Sequence, residues 1–254
     1  MQGTVWPVLG LPPEIRACLF DLDGVLTKTA QVHAAAWKKM FDESLRQWAQ
    51  RQGREFQPFD AVADYDEYVD GKPRAEGVRS FLRSRGIELP PGDPEDPPDR
   101  ETIAGLGNRK NELVLRLIEE HGVEAYPGSV EYVKAARDAG LRRAVVSSST
   151  NTHAVLKAAG IADLFEVVID GMVAEREELP GKPAPDTFLA GARAVGVEPA
   201  VAAVFEDALA GVQAGRAGHF EIVVGVDRVG AAEALREHGA DIVVKDLSEL
   251  LSQP

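Results

Sequence analysis

Short apolar runs rich in Val, Ile and Phe alternate with helical patterns through the second half of the chain. Arg143–Ser147, Glu166–Asp170, Val201–Phe205, Glu221–Gly225 and Asp241–Lys245 read as buried strands, continuous in their apolar residues rather than alternating. Between them, Asn151–Ala159, Asp186–Val195, Leu209–Ala217 and Ala231–Glu237 carry helical spacing. Several of these close on a glycine (Gly160, Gly196, Gly218, Gly239), the residue that best tolerates a left-handed helix stop. Alternation of this kind predicts parallel strands joined by crossover helices, an α/β doubly wound sheet. One further strand stands far upstream, at Ala17–Phe20.

The stretch from Thr29 to Tyr126 has a different texture. Val32–Gln50 is one long helical pattern with Trp37, Phe41, Leu45 and Trp48 at helical spacing. Arg74–Arg85 and Asn108–His121 read as further helices, with no convincing strand between them. Five prolines fall between Pro90 and Pro98 among Asp93, Glu95, Asp96 and Asp99, which excludes helix and central strand and predicts an exposed loop. The expected organisation is a Rossmann-like core from residues 1–28 and 127–254, with an α-helical cap, residues 29–126, inserted after the first strand.

Composition narrows the setting. A chain of 254 residues, 44% hydrophobic, has material for one sizeable core, or for one core plus a smaller satellite domain, and is too apolar to be mainly disordered. A net charge of −13 argues against a nucleic-acid surface, so any anionic ligand must be met by a few placed cations or a metal. No apolar run approaches the roughly eighteen residues of a membrane span. The first basic residue is Arg16 and the single cysteine is Cys18, a buried strand residue, so neither a secretory leader nor a disulfide is expected. A cytoplasmic monomer without a membrane or nucleic-acid partner is the expectation.

The first strand runs into Asp21-Leu-Asp23-Gly-Val-Leu-Thr27. An Asp-x-Asp pair is weak evidence alone; about one is expected by chance, and Asp64-Tyr-Asp66 is such a case. Asp21 and Asp23 differ because they stand where a parallel strand ends, the place where open α/β sheets bind ligands. Residues two apart on extended backbone point the same way, so both carboxylates can face one substrate. Such a pair suits metal binding, or a nucleophile beside a general acid/base. Three further signals sit at later strand ends: Ser147-Ser148-Ser149-Thr-Asn151 before a helix, Gly181-Lys182-Pro-Ala-Pro185, and Glu206-Asp207. Taken singly each has a plain structural reading, as a helix cap, a surface charge or a favourable helix start. Four in order at the strand ends of one sheet do not.

Together, Asp21-x-Asp23-Gly-Val, Ser147, Lys182-Pro-Ala-Pro and Glu206-Asp207 resemble the four motifs of the haloacid dehalogenase superfamily. Asp21–Ala30 with His33 and Trp37 resembles its β-phosphoglucomutase group. The resemblance runs from Ala17 to about Leu250. It implies that Asp21 is the nucleophile, taking a phosphoryl group as an aspartyl phosphate, and that Asp23 is the general acid/base. It implies Mg²⁺ held by the Asp21 carboxylate, the Asp23 carbonyl and Asp207, with Glu206 acting directly or through water. Ser147 and Lys182 would bind the transferring phosphoryl oxygens, with Ser148, Ser149 and Asn151 on the same loop. On the cap, Val69–Arg74 resembles the specificity loop, with Arg74 as phosphate binder, and Asn108–Asn111 a second site offering Lys110 and Asn111. His33 belongs near the cap's entry, and Trp37 reads as cap core. Two positions depart from the group: Lys28 replaces the usual acid, and Ala208 a common serine. The expected activity is a phosphosugar mutase interconverting β-glucose 1-phosphate and glucose 6-phosphate. A phosphatase acting on a small phosphorylated metabolite through the same Asp21 is the alternative, and a catalytically silent binding module the third.

Overall fold

The structure is a computed structural model that describes residues 9–251. Six strands form one parallel sheet: β1 (Ala17–Phe20), β2 (Arg142–Val146), β3 (Val167–Ile169), β4 (Ala202–Glu206), β5 (Ile222–Val226) and β6 (Ile242–Val244). Their order is β3-β2-β1-β4-β5-β6, so the chain starts in the middle and winds outward both ways, as the alternation predicts. β1 is wholly buried and paired on both edges, with Phe20 opposite Val145 on one side and Phe205 on the other. This is why its four residues are all apolar. The α-helices of the described residues are α1 (Thr29–Gln52), α2 (Arg74–Ser84), α3 (Ile103–His121), α4 (Pro127–Asp138), α5 (Thr152–Ala158), α6 (Gly171–Arg176), α7 (Asp186–Val195), α8 (Leu209–Ala217) and α9 (Ala232–Glu237), with a π-helical turn at Tyr65–Val69 and short 3-10 segments at Ala162–Leu164, Pro199–Val201 and Leu247–Leu250. Among the described residues, no helix is long and apolar enough to cross a membrane.

The chain divides into two units, residues 1–28 with 123–254, and residues 29–122. In the sheet unit, the strands carry a core in which Leu19, Val146, Phe188, Val204, Val212 and Val223 are buried. The register brings the ends of β1, β2 and β4 level. Asp21 N–H continues the ladder onto Phe205 O at 2.9 Å, and Ser147 N–H onto Ile169 O at 2.9 Å. Segment 124–126 belongs to this unit: Lys28 N–H donates to Glu124 O, and Tyr126 N–H to Leu26 O. The second boundary therefore lies at 122/123, four residues before the 126/127 read from the sequence.

The helical unit is organised around aromatic rings. Trp37 stacks on Phe41 at 5.2 Å, and Phe41 meets Phe59 and Phe81 at 5.2 and 4.2 Å. Trp37, Phe41 and Leu45 are buried on one face of α1, whereas Trp48 is half-buried. α3 begins five residues earlier than its sequence pattern suggests. Thr102 caps it by accepting from Gly105 N–H at 2.9 Å, and a side chain at Gly105 would meet Arg100 O at 2.3 Å. Gly105 is thus a position of close packing inside the helix rather than a breaker. The proline-rich segment is a loop, as expected, but a pinned one. Asp96 is buried and accepts from Thr102 Oγ1 at 2.7 Å, and Asn108 donates to Pro94 O and Asp96 O. Two helices of the sheet unit were not apparent in the sequence, α4 and the six-residue α6; α4 has Pro at its first position and buries Tyr132, Val133 and Ala136.

Candidate active site

At the carboxyl end of the sheet, two strand ends and one loop deliver their charged residues to one place; Lys182, read from the sequence as standing at a strand end, lies instead beyond α6. Asp21 follows β1, Glu206 closes β4, and Lys182 arrives on the loop between α6 and α7. Lys182 Nζ donates to Asp21 Oδ1 and Glu206 Oε1, each at 2.5 Å, and to Val146 O at 3.1 Å. All three side chains are buried, Glu206 completely. One ammonium therefore sits between two carboxylates in a low-dielectric pocket, where charge pairing is far stronger than in water.

The protonation equilibria follow from that geometry. Burial raises the Asp21 carboxyl above its usual range, against the opposing pull of Lys182; the nearby Asp23 charge raises it further, while the Asp23 backbone N–H lowers it. Burial likewise pushes Glu206 up to about 7, again opposed by Lys182. Burial works against the Lys182 ammonium, but Asp21 and Glu206 outweigh it and leave the lysine firmly protonated.

Two glycines make room for the acids. Gly24, at φ +89°, has no side chain where a Cβ would stand 1.7 Å from Asp207 Oδ2. A Cβ on Gly211 would stand 1.7 Å from Glu206 Oε1. Gly211 closes the Glu206–Gly211 segment in the sequence, but its role shows only in three dimensions. Asp21, Glu206 and Asp207 each bring one carboxylate oxygen within 4.8 Å of the others. This oxygen-only donor set, with Asp207 seated in the space left by Gly24, fits a hard divalent cation. Glu206 Oε2 also accepts Ala208 N–H at 3.0 Å, so both its oxygens are engaged.

Asp23 lies half-buried in the turn after Asp21. Ser147 is buried at the end of β2, and its Oγ accepts Ser149 N–H at 3.1 Å. Ser149 Oγ in turn accepts Asn151 N–H at 3.1 Å, while its carbonyl accepts Thr152 Oγ1 at 2.9 Å. Ser148 and Asn151 are half-buried on this folded loop. The core residues named from the sequence thus gather at one end of one sheet.

The cap residues gather separately, within the helical unit. Lys110 on α3 is buried, with Nζ 2.9 Å from His33 Nδ1 on α1 and 4.8 Å from the Trp37 ring centroid. Burial, aided by the Lys110 charge, holds the His33 imidazole neutral, well below the usual histidine range. Arg74 opens α2 and lies across Gly107, where a Cβ would press its aliphatic stem at 3.3 Å. Gly107 is one turn before Lys110 on α3, and Asn111 follows Lys110. Trp37 is buried in the cap core, as expected. Lys28 pairs with Glu124 at 2.5 Å on the surface.

A parallel sheet that presents a carboxylate and an acidic pair at its strand ends, with a buried lysine between them, defines a phosphotransferase-type enzyme. The model of the haloacid dehalogenase-like hydrolase family matches residues 15–219. A β-phosphoglucomutase of Mycobacterium tuberculosis is 56% identical over 247 residues, covering 96% of this chain and 94% of that one. The crystal structure of a Clostridium difficile β-phosphoglucomutase superposes with a TM-score of 0.71 at 27% identity, covering 93% of both chains. That of CbbY from Rhodobacter sphaeroides in complex with xylulose 1,5-bisphosphate gives 0.67 at 25%, covering 92% of this chain and 96% of that one. The chain belongs to the haloacid dehalogenase-like hydrolase family, in its β-phosphoglucomutase-like group.

Proposed function

We propose that the protein is a Mg²⁺-dependent phosphosugar mutase that interconverts β-glucose 1-phosphate and glucose 6-phosphate through a phosphorylated Asp21. The observation that carries the phosphoryl-transfer chemistry is Lys182 held 2.5 Å from both Asp21 and Glu206. The sugar specificity rests on the 56% identity to a β-phosphoglucomutase.

Starting from the phosphorylated enzyme, a sugar hydroxyl oxygen attacks the phosphorus on Asp21 while Asp23 takes the hydroxyl proton. The bond from phosphorus to the Asp21 oxygen breaks, and a sugar bisphosphate forms. The bisphosphate turns around and presents its other phosphate. A carboxylate oxygen of Asp21 then attacks that phosphorus, and Asp23 returns the proton to the departing sugar oxygen. Ser147 and Lys182 hold the oxygens of the group in transit. The carboxyl oxygens of Asp21 and Asp207 and the Asp23 carbonyl would hold Mg²⁺, with Glu206 chiefly anchoring Lys182. When bound, the cation offsets the repulsion between carboxylate and phosphate. Arg74, Lys110 and Asn111 of the cap take the second phosphate, Arg74 through its planar two-pronged guanidinium, and His33 keeps Lys110 in place.

The test is product identity. Incubation with β-glucose 1-phosphate and a trace of glucose 1,6-bisphosphate yields glucose 6-phosphate on this reading. Stoichiometric inorganic phosphate would instead make the enzyme a phosphatase using the same aspartate.

A further inference from the structure

The turn between Asp21 and Thr29 bonds to itself at its ends. Leu26 N–H and Thr27 N–H donate to Leu22 O, and Gly24 N–H donates to Thr27 O. That closure turns the carbonyls of Gly24 and Val25 away from the loop, although both residues are buried. Buried carbonyls need donors from elsewhere. They find them far along the chain, from Arg228, 204 residues after Gly24, and from Ser129, 104 residues after Val25. Arg228 Nε donates to Gly24 O at 2.9 Å, and its Nη2 approaches Val25 O at 3.4 Å. Ser129 Oγ, at the start of α4, donates to the same Val25 O at 2.7 Å.

We propose that Arg228 is a positioning residue, whose guanidinium fixes the turn that aims Asp23 at the reacting phosphate. The proposal rests on the reading of Asp23 as acid/base given above. The arginine is itself held on every side. Its Nη1 donates to Lys245 O at 2.7 Å and to Asp246 Oδ2 at 3.1 Å, and its Cζ lies over the Tyr126 ring, 3.6 Å from the centroid. Asp246 is fixed by the capping box of residues 247–250. The backbone at Arg228 is fixed by Asp227, whose Oδ1 accepts from three amides, Val229, Gly230 and Ala231. The side chain is only 15% exposed. A surface arginine making one ion pair would have none of this. Here one planar group joins the catalytic turn, the segment at Tyr126 and the sheet's far edge at Lys245, and lysine could not reproduce that fork. Asp23 directly precedes the Gly24 carbonyl, so slack in that carbonyl becomes misorientation of the acid/base. Misplacement of a reacting group by about 1 Å costs on the order of 10²-fold in rate.

The test compares Arg228→Met with Asp23→Asn on two phosphoryl donors. β-Glucose 1-phosphate has a leaving oxygen that needs a proton; acetyl phosphate does not. Arg228→Met should lower kcat for the sugar phosphate by about 10- to 100-fold with KM nearly unchanged, while single-turnover labelling of Asp21 by acetyl phosphate stays within about threefold of wild type. Amide hydrogen exchange at Gly24, Leu26 and Thr27 should quicken in the same variant, and Arg228→Lys should not restore kcat. Equal losses on both donors would reduce Arg228 to a structural staple, and unchanged sugar turnover or unchanged exchange would overturn the proposal. If Asp23→Asn itself fails to separate the two donors, the acid/base reading falls instead. Should Arg228→Met not fold, Tyr126→Leu removes the ring beneath the guanidinium and must give the same separation in milder form, or the proposal is wrong.

Discussion

Gly24 and Asp207 share one volume: a Cβ on the glycine would stand 1.7 Å from Asp207 Oδ2. The carboxylate on the β4 side can occupy its place only because the turn after β1 carries no side chain there. Gly24→Ala should therefore push Asp207 aside and raise the Mg²⁺ concentration for half-maximal activity by about tenfold or more, an effect of roughly 1.4 kcal/mol on binding. Alanine at φ +89° also strains the backbone, so a melting temperature a few degrees lower is expected. An unchanged metal titration would contradict the assignment of Asp207.

Lys182→Met removes the ammonium between two buried carboxylates and leaves their charge uncompensated. Breaking such a pair costs about 3–5 kcal/mol, and sugar phosphate turnover should fall below detection. Adding Glu206→Gln removes one of the stranded charges, so the double variant should regain melting temperature without regaining activity. If the double variant were no more stable than Lys182→Met, the bridge between Asp21 and Glu206 would not be what holds the pocket together.

Asp23→Asn should slow sugar phosphate turnover by roughly 10²–10⁴-fold, the worth of a placed proton donor. Asp21→Asn should abolish it with the fold intact, since an amide is a poor nucleophile. The two variants separate on a donor with a good leaving group: Asp23→Asn still labels Asp21, whereas Asp21→Asn accepts no label.

His33 gives the helical unit a pH signature. Its folded pKa lies below the unfolded value, so as pH falls through about 6.5 the unfolded chain takes a proton that the folded unit refuses. This contribution to stability is complete above that pH and is lost progressively below it. His33→Gln should lose less stability than wild type between pH 7.5 and 5.5, measured by denaturant midpoints. A larger loss in the variant would mean that His33 is charged in the fold.

Much of this was legible along the chain, and the reasons are specific. β1, α7 and α8 have the limits read from sequence because apolar runs there end at Asp21, Gly196 and Gly218, where the backbone must change. Asp21, Lys182 and Glu206 were legible as motif members because each immediately follows or closes a strand or precedes a helix. Their convergence on one ammonium was not, since it depends on which strands are neighbours. The start of α3 was hidden because Gly105 and Gly107 resemble breakers while serving close packing. Arg228 left no signal at all: its partners in the catalytic turn are backbone carbonyls, which look the same in every residue type. Trp48 shares the helical spacing of Trp37 and Phe41, yet lies at the edge of the aromatic cluster.

The central claim is that a sugar hydroxyl, rather than water, takes the phosphoryl group from Asp21. The direct measurement is a rapid-quench chase: enzyme labelled on Asp21 with radioactive phosphate is mixed with β-glucose 1-phosphate, and the label is followed. The account predicts that it leaves Asp21 as glucose bisphosphate and then glucose 6-phosphate, with Arg74→Ala slowing that transfer by orders of magnitude. Label released chiefly as inorganic phosphate, at a rate indifferent to the sugar and to Arg74, would contradict it.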